Sequence, residues 1–288
     1  MLELAPAKVN LFLKVIAKRQ DGYHEIATLF EKIALFDEIK AFPSNSIDIE
    51  CTNPDIPTDK KSLSYRTIKS IKDKYGVKKG IKVCIKKNIP VASGLGGGSS
   101  DAAAIINLAC KIWKLRLSIQ EKINIGKELG SDIPFFLTNT SYAIGSGKGD
   151  IINPIKSKKK IWHLIVNPPI KLLSKDIYEL YSADRSLGLT IKPTVDTILP
   201  PNLNIDRLKV LTTLLHNDLE KVILAKEPII RNAKEGLSSF TRGVLVSGSG
   251  PSLFAVFETR KEASTVKKQC LQRFQEAQGW RIFVVRTC

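Results

Sequence analysis

The sequence contains little that could build a metal site or a disulfide framework. It has five cysteines, an odd number, at wide spacings and without a Cys-x-x-Cys pair. These features argue against a zinc site and a thioredoxin-type redox site. They favour reduced thiols in a cytoplasmic protein. We therefore predict no dedicated metal site.

Long apolar segments are also absent. No stretch of about 18 consecutive apolar residues occurs, so we expect no transmembrane helix and no membrane partner. The N-terminal segment MLELAPAKVN has no basic residues followed by an apolar run, so we expect no signal peptide. Together with the cysteine usage, these absences favour a cytoplasmic location.

Acidic residues are scarce relative to basic ones. The chain of 288 residues has a net charge of +17, while its hydrophobic fraction of 43% and charged fraction of 25% are ordinary for a globular protein. Between Lys60 and Lys87 the only acidic residue is Asp73. Such a surface could bind nucleic acid, but no RNA-binding aromatic motif accompanies it. We expect a solvated surface that helps to attract anionic substrates, and no specific nucleic-acid partner.

The pattern of apolar residues predicts an α+β protein. A strand hairpin is expected around Gln20–Gly22, an amphipathic helix over Ser62–Tyr75, a strand over Gly80–Lys87 and a helix over Ala102–Leu115. Further strands are predicted at Ser44–Glu50, Ser141–Ile144, Trp162–Val166, Val244–Val246, Leu253–Phe257 and Arg281–Val285. Further helices are predicted at Ser118–Leu129, Ser174–Tyr181, Ile205–Leu215, Leu219–Ala225, Pro228–Ser238 and Lys261–Glu276. Loops are predicted at Lys156–Lys160 and Lys192–Asn204.

A glycine-rich segment, PVASGLGGGSS, lies between a predicted strand and a predicted helix. Glycines let the backbone approach a ligand closely, and the N–H groups and dipole at a helix N-terminus attract phosphates. The segment lacks the Gly-Lys-Ser/Thr of a Walker loop and the glycine spacing of a dinucleotide-binding fingerprint. A plain flexible turn is the alternative, but four glycines before two serines and a strong helix argue against it. The predicted phosphate-binding residues are Pro90, Val91, Ala92, Ser93, Gly94, Leu95, Gly96, Gly97, Gly98, Ser99 and Ser100.

This segment resembles the phosphate-binding motif of the GHMP kinases, the superfamily of galactokinase, homoserine kinase and mevalonate kinase. Two more segments match the superfamily pattern in the expected order, PAKVNL from Pro6 and VSGSGPS from Val246. The resemblance implies a two-lobed fold, with a ribosomal-protein-S5-like lobe over residues 1–155 and a ferredoxin-like lobe over 156–288. It implies ATP as cofactor, and Mg²⁺ is expected because a metal bridges the β- and γ-phosphates in such transfers. Ser100 is a candidate Mg²⁺ ligand.

Two further strings narrow the resemblance. The segments APAKVNLFLKVIAKRQDGYHEI and LGSDIPFF resemble the family of 4-diphosphocytidyl-2-C-methyl-D-erythritol kinases. That implies ATP-dependent phosphorylation of the erythritol 2-hydroxyl of a substrate with a cytidine diphosphate group. One alternative is a homoserine- or mevalonate-type kinase, although those substrates offer no nucleobase. The other is a non-catalytic nucleotide- or RNA-binding module that kept the fold. A monomer or weak homodimer is expected.

An alcohol kinase needs a group to accept the hydroxyl proton and a cation near the transferred phosphoryl group. Asp132 is the candidate base, although a turn or helix-cap role is the commoner use of Asp in this context. Lys8 alone would be a solvent-facing strand residue, but the resemblance implies that it is the charge partner of the base. Asn10 falls on the same strand face and could contact substrate or phosphate.

The remaining candidates concern the acceptor. Alone, Tyr23 and His24 would be a packed aromatic and a surface histidine. The resemblance implies that His24 reads cytosine, that Tyr23 lies against the base, and that Tyr178 is a second stacking residue. Gly248 belongs to a second glycine turn, Ser247–Gly250, which is either a plain hairpin turn or a segment that packs on the phosphate loop and shapes the substrate pocket.

Overall fold

The computed structural model describes residues 1–184, 195–199, 203, 205, 208–274 and 279–288, and the following bounds refer to them. Strands and helices occur in separate groups as well as in alternation, which confirms the α+β class. The strands are β1 (Leu2–Lys18), β2 (His24–Ser44), β3 (Ile47–Cys51), β4 (Gly80–Lys86), β5 (Tyr142–Ser146), β6 (Ile151–Ile155), β7 (Trp162–Asn167), β8 (His216–Asn217), β9 (Val244–Val246), β10 (Leu253–Phe257) and β11 (Arg281–Arg286). The helices are α1 (Leu63–Tyr75), α2 (Gly97–Ile112), α3 (Ile119–Leu129), α4 (Ile133–Leu137), α5 (Ser174–Ala183), α6 (Val195–Ile198), α7 (Leu208–Leu214), α8 (Glu220–Lys226), α9 (Pro228–Ser238) and α10 (Arg260–Phe274).

The chain forms two compact units, and neither is a continuous stretch of sequence. The first unit comprises Met1–Ala7, Leu35–Ile89 and Gly96–Asn139. The second comprises Lys8–Ala34, Pro90–Leu95 and Thr140–Cys288. The division of the sequence into lobes at residue 155 stays a prediction.

The first unit combines a small sheet with helices α1 to α4. Strand β4 pairs antiparallel with the end of β2 and parallel with β3. Helix α1 begins where the Ser62 side chain accepts the N–H of Tyr65 and ends at Gly76, whose φ of 66° suits a left-handed helix cap. Helix α3 begins with a capping box in which Ser118 and Glu121 bond to each other's backbone. These local signals explain why both helices were predicted correctly.

The second unit contains the β1–β2 hairpin and a four-stranded sheet. The hairpin closes with Arg19 N–H donating to Tyr23 C=O at 2.8 Å, as the Asp21-Gly22 turn signal predicts. The four-stranded sheet has the order β11-β7-β10-β9, and its buried side chains share one core with α5, α8, α9 and α10. The predicted strands Trp162–Val166, Leu253–Phe257 and Arg281–Val285 therefore lie side by side in one sheet.

Several boundaries differ from the prediction. Helix α2 begins at Gly97 and not at Ala102, directly after Gly96, which caps it with a φ of 71°. It ends at Ile112 rather than Leu115, where Lys114 takes a φ of 56°. Within the predicted loop Lys192–Asn204, the four residues of α6 are helical, whereas 192–194, 200–202 and 204 lie outside the described residues, as do 206–207 of a predicted helix and 275–276 of the last one.

Besides α6, three short elements of the described residues were not predicted. They are α4, β6 and the two-residue strand β8. Each is too short to show a periodicity, and β6 contains the Asn153-Pro154 pair that normally marks a turn. None of the described helices combines the length and apolar character required to cross a bilayer.

Candidate functional site

The glycine-rich segment divides into a loop and the first turn of α2. Gly96 caps the helix with a φ of 71°, and the first helical bond runs from Ser100 N–H to Gly96 C=O at 3.0 Å. An α-helix leaves its first N–H groups without partners inside the helix, here those of Gly97, Gly98 and Ser99. The Ser100 Oγ is buried and has no hydrogen-bond partner among the described residues. This end of α2 is therefore equipped to bind an anion.

A buried charge cluster lies beside this helix start in the first unit. The Lys87 ammonium donates to Asp101 Oδ2 at 2.7 Å and also to Asp37, whose Oδ1 accepts the N–H groups of Asn88 and Ile89. Burial raises the pKa of Asp101 to about 7, against the lowering effect of Lys87, and Asp37 raises it further. Sequence reasoning missed this cluster, since an Asp after Ser-Ser and a Lys at a strand end have many ordinary uses.

The loop before α2 packs backbone against backbone on the second glycine turn, within the second unit. Gly94 has a φ of 76°, and a Cβ there would lie 2.1 Å from the Ser247 carbonyl oxygen. Ser247 Oγ donates to Gly94 C=O at 3.1 Å, and Ser252 N–H donates to Ser93 C=O at 3.2 Å. The prediction that the Ser247–Gly250 turn packs on the loop is confirmed. Only glycine fits at Gly94.

Lys8, Asn10 and Gly248 come together in the second unit. Lys8 is 5% exposed, so the alternative of a solvent-facing strand lysine is wrong. Its Nζ donates to Asn10 Oδ1 at 2.6 Å, and Asn10 Nδ2 donates to Thr28 Oγ1 at 2.8 Å. A Cβ on Gly248 would lie 2.9 Å from Asn10 Oδ1 and 3.4 Å from Lys8 Nζ. Lys8 N–H also donates to Leu95 C=O at 2.9 Å, which ties β1 to the loop.

Asn217 holds the second glycine turn in this position. Its buried Nδ2 donates to the carbonyl oxygens of Val246 and Gly248, both at 2.8 Å. Its Oδ1 accepts the N–H of Leu219 at 3.0 Å. Sequence reasoning missed Asn217, because an asparagine before an aspartate normally indicates a turn and the parallel pairing of β8 with β1 leaves no local pattern.

Tyr178 and His24 are also adjacent. The buried His24 ring stacks on Tyr178 with a centroid distance of 5.0 Å and an interplanar angle of 25°. Its Nε2 lies 2.6 Å from Ser182 Oγ, a contact that the sequence did not predict. Burial lowers the pKa of His24, and the charge of Lys18 lowers it further, which favours the neutral imidazole. His24 is therefore not the surface histidine that the residues alone suggested.

Tyr23 is 55% exposed, so it is not a packed core aromatic. The Lys148 ammonium lies over its ring, 4.9 Å from the centroid. The lysine comes from the turn over residues 147–150, directly after β5. An exposed aromatic ring can stack on a planar group, and the cation beside it can attract an anionic group of the same ligand.

Asp132 belongs to the first unit and immediately precedes α4. Its φ and ψ are −82° and −15°, and its side chain makes no cap hydrogen bond to the helix. Of the two ordinary roles, the structure therefore shows the turn aspartate and not a side chain that caps the helix. The residue's place is fixed by α4, which is buried along its whole length, with Ile133 so close to Gly126 that a Cβ there would meet it at 2.9 Å. No group of three or more His, Cys, Asp or Glu side chains suited to a metal ion occurs in the described part of the chain.

Comparison with known proteins agrees with the resemblance of the three motifs. The family described as GHMP kinases N terminal domain matches residues 62–140, and GHMP kinases C terminal matches residues 201–276. The 4-diphosphocytidyl-2-C-methyl-D-erythritol kinase of Syntrophus aciditrophicus (strain SB) is 37% identical, over 99% of this chain and 98% of that protein.

Solved structures give the same result. A crystal structure of 4-(cytidine 5'-diphospho)-2C-methyl-D-erythritol kinase aligns with a TM-score of 0.77 and 26% identity, over 99% of both chains. Homoserine kinase from Cytophaga hutchinsonii aligns with a TM-score of 0.76 and 16% identity, over 99% of this chain and 93% of that one, which is a likeness of fold alone. The chain therefore belongs to the GHMP kinases and, within them, to the family of 4-diphosphocytidyl-2-C-methyl-D-erythritol kinases.

Proposed function

We propose that this protein transfers the γ-phosphoryl group of ATP to the 2-hydroxyl of 4-diphosphocytidyl-2-C-methyl-D-erythritol. The hydroxyl oxygen forms a bond to the γ-phosphorus while the bond to the β–γ bridging oxygen breaks and ADP leaves. In such transfers the protein acts mainly by positioning the reactants and stabilising charge. The net charge of +17 favours the capture of two substrates that both carry phosphates. We expect the reaction to take place in the cytoplasm.

The first turn of α2 supports the ATP phosphate site. Backbone N–H groups at a helix N-terminus donate to phosphate oxygens without the cost of reorganisation. Mg²⁺ prefers oxygen ligands, and some of those ligands are usually water molecules and substrate phosphates. The buried Ser100 Oγ, which lacks a partner among the described residues, fits such an ion. Ser100 and oxygen atoms of ATP would hold the Mg²⁺ ion. The ion would neutralise negative charge on the phosphates.

Asp132 and Lys8 are the proposed reacting partners of the hydroxyl group. Asp132 accepts the hydroxyl proton as the transfer proceeds. The Lys8 ammonium stabilises charge on the transferred group. The hydrogen bond from Lys8 to Asn10 holds the ammonium in a single orientation. Asn10 and the backbone of Gly248 line the side of Lys8 on which the acceptor alcohol binds.

The stacked pair of His24 and Tyr178 determines which acceptor the protein binds. A neutral imidazole held at Nε2 by Ser182 presents Nδ1 for a hydrogen bond with the pyrimidine edge. Tyr178 supports the imidazole from one side, and Tyr23 offers an exposed ring for stacking on the base. Homoserine and mevalonate have no nucleobase, and a kinase for them has no use for this group.

The release of ADP tests the proposed function. Purified protein with ATP and Mg²⁺ would receive 4-diphosphocytidyl-2-C-methyl-D-erythritol, homoserine or mevalonate in separate reactions. We expect release only with the cytidine substrate. Release with homoserine or mevalonate, and none with the cytidine substrate, would show that the protein phosphorylates a different acceptor. No release with any alcohol, alongside tight RNA binding, would favour the non-catalytic module.

The same assay tests the proposed base. Asp132→Asn should lower kcat by about 10²- to 10⁴-fold, the range of general-base catalysis. ATP binding, measured by calorimetry, should stay near that of the wild type. Unchanged turnover would show that another group accepts the proton.

A further inference from the structure

The tip of the β1–β2 hairpin contains three charged residues that the proposed function does not use. They are Arg19, Asp21 and Glu25, which surround Tyr23 and His24 in the sequence RQDGYHE. All three are at least partly exposed, and exposed ion pairs ordinarily contribute little to stability. Their hydrogen bonds, however, form a connected path between two loops.

The first part of the path lies within the hairpin. Asp21 Oδ1 accepts the backbone N–H of Tyr23 at 3.1 Å. Arg19 Nε donates to both carboxylate oxygens of Asp21, at 3.3 and 3.2 Å, and its Nη1 donates to Glu25 Oε2 at 2.7 Å. One guanidinium therefore joins the carboxylates on both sides of Tyr23. The bonds fix the backbone from which the tyrosine ring projects.

The second part links the hairpin to the turn after β5. The other oxygen of Glu25 accepts the N–H of Gly147 at 3.0 Å, and Ile26 N–H donates to Gly147 C=O at 2.8 Å. Gly147 has a φ of 68°, and the next N–H, that of Lys148, donates to Asp150 Oδ1 at 3.2 Å. The N–H and the C=O of Gly147 are thus both hydrogen-bonded, and these bonds fix the backbone that carries Lys148.

The path closes at the Tyr23 ring. The Lys148 ammonium lies over that ring at 4.9 Å from its centroid. Tyr23 is an exposed and Lys148 a partly buried long side chain, they lie on separate loops, and each loses rotamer freedom when it binds a ligand. A network that fixes both backbones reduces this loss before the ligand arrives.

We propose that Glu25, with Arg19, is a positioning residue that holds Tyr23 and Lys148 together for binding of the pyrimidine end of the acceptor. This inference rests on the proposed function, because it takes Tyr23 as a contact of the nucleobase. Glu25 does not touch the reacting atoms. It acts through Tyr23 and Lys148, so it affects the KM of the acceptor and leaves kcat and the KM of ATP unchanged.

The test compares Glu25→Ala with a matched variant. Glu38→Ala removes another Glu of β2 whose side chain is equally exposed, 31%, and which also bonds a cation at 2.7 Å, Lys86. Glu25→Ala should raise the acceptor KM by about 3- to 10-fold, the scale of one hydrogen bond and one ordered side chain. Glu25→Gln, which keeps an acceptor for the Gly147 N–H, should recover part of the loss. Glu38→Ala should leave the acceptor KM unchanged.

A double-mutant cycle with Tyr23→Ala shows whether Glu25 acts through the tyrosine. In the Tyr23→Ala background, Glu25→Ala should have little further effect on the acceptor KM. Additive effects would overturn the inference, as would a lower kcat or a higher KM for ATP in Glu25→Ala. If Tyr23→Ala raises the acceptor KM and Glu25→Ala does not, the inference fails and the proposed function stands. If Tyr23→Ala leaves the KM unchanged, the nucleobase role of Tyr23 fails and the inference fails with it.

Discussion

Two parts of the second unit differ in how they hold their side chains. Lys8, Asn10 and Thr28 are buried and connected by hydrogen bonds of 2.6 and 2.8 Å, whereas Tyr23 is 55% exposed and is held through exposed charged groups. In a buried site each hydrogen bond is electrostatically strong and each unpaired group is costly. In an exposed site water can replace a lost contact. We infer that the buried part determines turnover and that the exposed part determines affinity for the acceptor.

The largest expected effect is that of Lys8→Met, which keeps the length of the side chain and removes its charge. We expect kcat to fall by about 10²- to 10³-fold, the scale observed when one preorganised group that stabilises developing charge is removed. The KM of the acceptor should change little. Steady-state kinetics with the cytidine substrate measure both constants. A large rise in KM with an unchanged kcat would contradict the division between the two parts.

Gly248→Ala should have the next largest effect. The new Cβ would lie 2.9 Å from Asn10 Oδ1, at a residue with a φ of 56°. Displacement of Asn10 and Lys8 should lower kcat by about 10- to 100-fold, since a shift of about 1 Å near a reacting group has effects of this order.

Gly76→Ala is the matched control for that substitution. Gly76 has a similar φ of 66°, but a Cβ there would meet nothing within 4 Å. The control should lose about 1–2 kcal/mol of unfolding free energy, the cost of a left-handed conformation for a residue with a Cβ. Its kcat should stay at the wild-type value. Equal losses of kcat in both variants would mean that backbone strain, and not contact with Asn10, is responsible.

His24→Ala tests affinity for the acceptor at a buried side chain that neighbours the exposed Tyr23. We expect the acceptor KM to rise by about 10-fold, because one hydrogen bond to the base and the support from Tyr178 are lost. The KM of ATP and the kcat should stay close to those of the wild type. A loss confined to kcat would show that His24 belongs functionally with Lys8.

The smallest effect concerns pH. Burial lowers the pKa of His24 below its ordinary value of about 6.5, so the folded protein binds a proton there less readily than the unfolded chain does. The stabilising contribution of neutral His24 is fully present above pH 6.5, and it is lost as the pH falls below that value and through the lower pKa of the folded protein. Denaturant unfolding at several pH values should show a smaller decrease below pH 6.5 for His24→Gln than for the wild type. Identical pH profiles would contradict a lowered pKa.

Much of this arrangement could be predicted from the sequence, where the signal is local. The Asp21-Gly22 turn predicts the hairpin, and Ser62 and Gly76 predict the bounds of α1. The glycine loop could be predicted as a phosphate site because several glycines directly before a strong helix seldom have another role. The predicted start of α2 is too late, because glycine has a low helix propensity and yet Gly97 and Gly98 belong to the first turn.

Contacts between residues far apart in the sequence could not be predicted in this way. Ser182 is 158 residues from His24, and Gly147 is 122 residues from Glu25. Asn217 stands in a strand of two residues, and its two bonds to the Val246–Gly248 segment depend on the tertiary fold. A side chain that acts through such distant partners leaves no periodicity or spacing in the sequence.

The central claim is that a phosphoryl group is transferred to the alcohol of the cytidine substrate. Phosphorus-31 NMR of a reaction containing the purified protein, ATP, Mg²⁺ and 4-diphosphocytidyl-2-C-methyl-D-erythritol tests it most directly. The account predicts a new phosphomonoester signal coupled to the methylerythritol group, formed in equal amount to ADP and absent with Asp132→Asn. ADP accompanied only by inorganic phosphate, with the diphosphate signals of the acceptor unchanged, would contradict it.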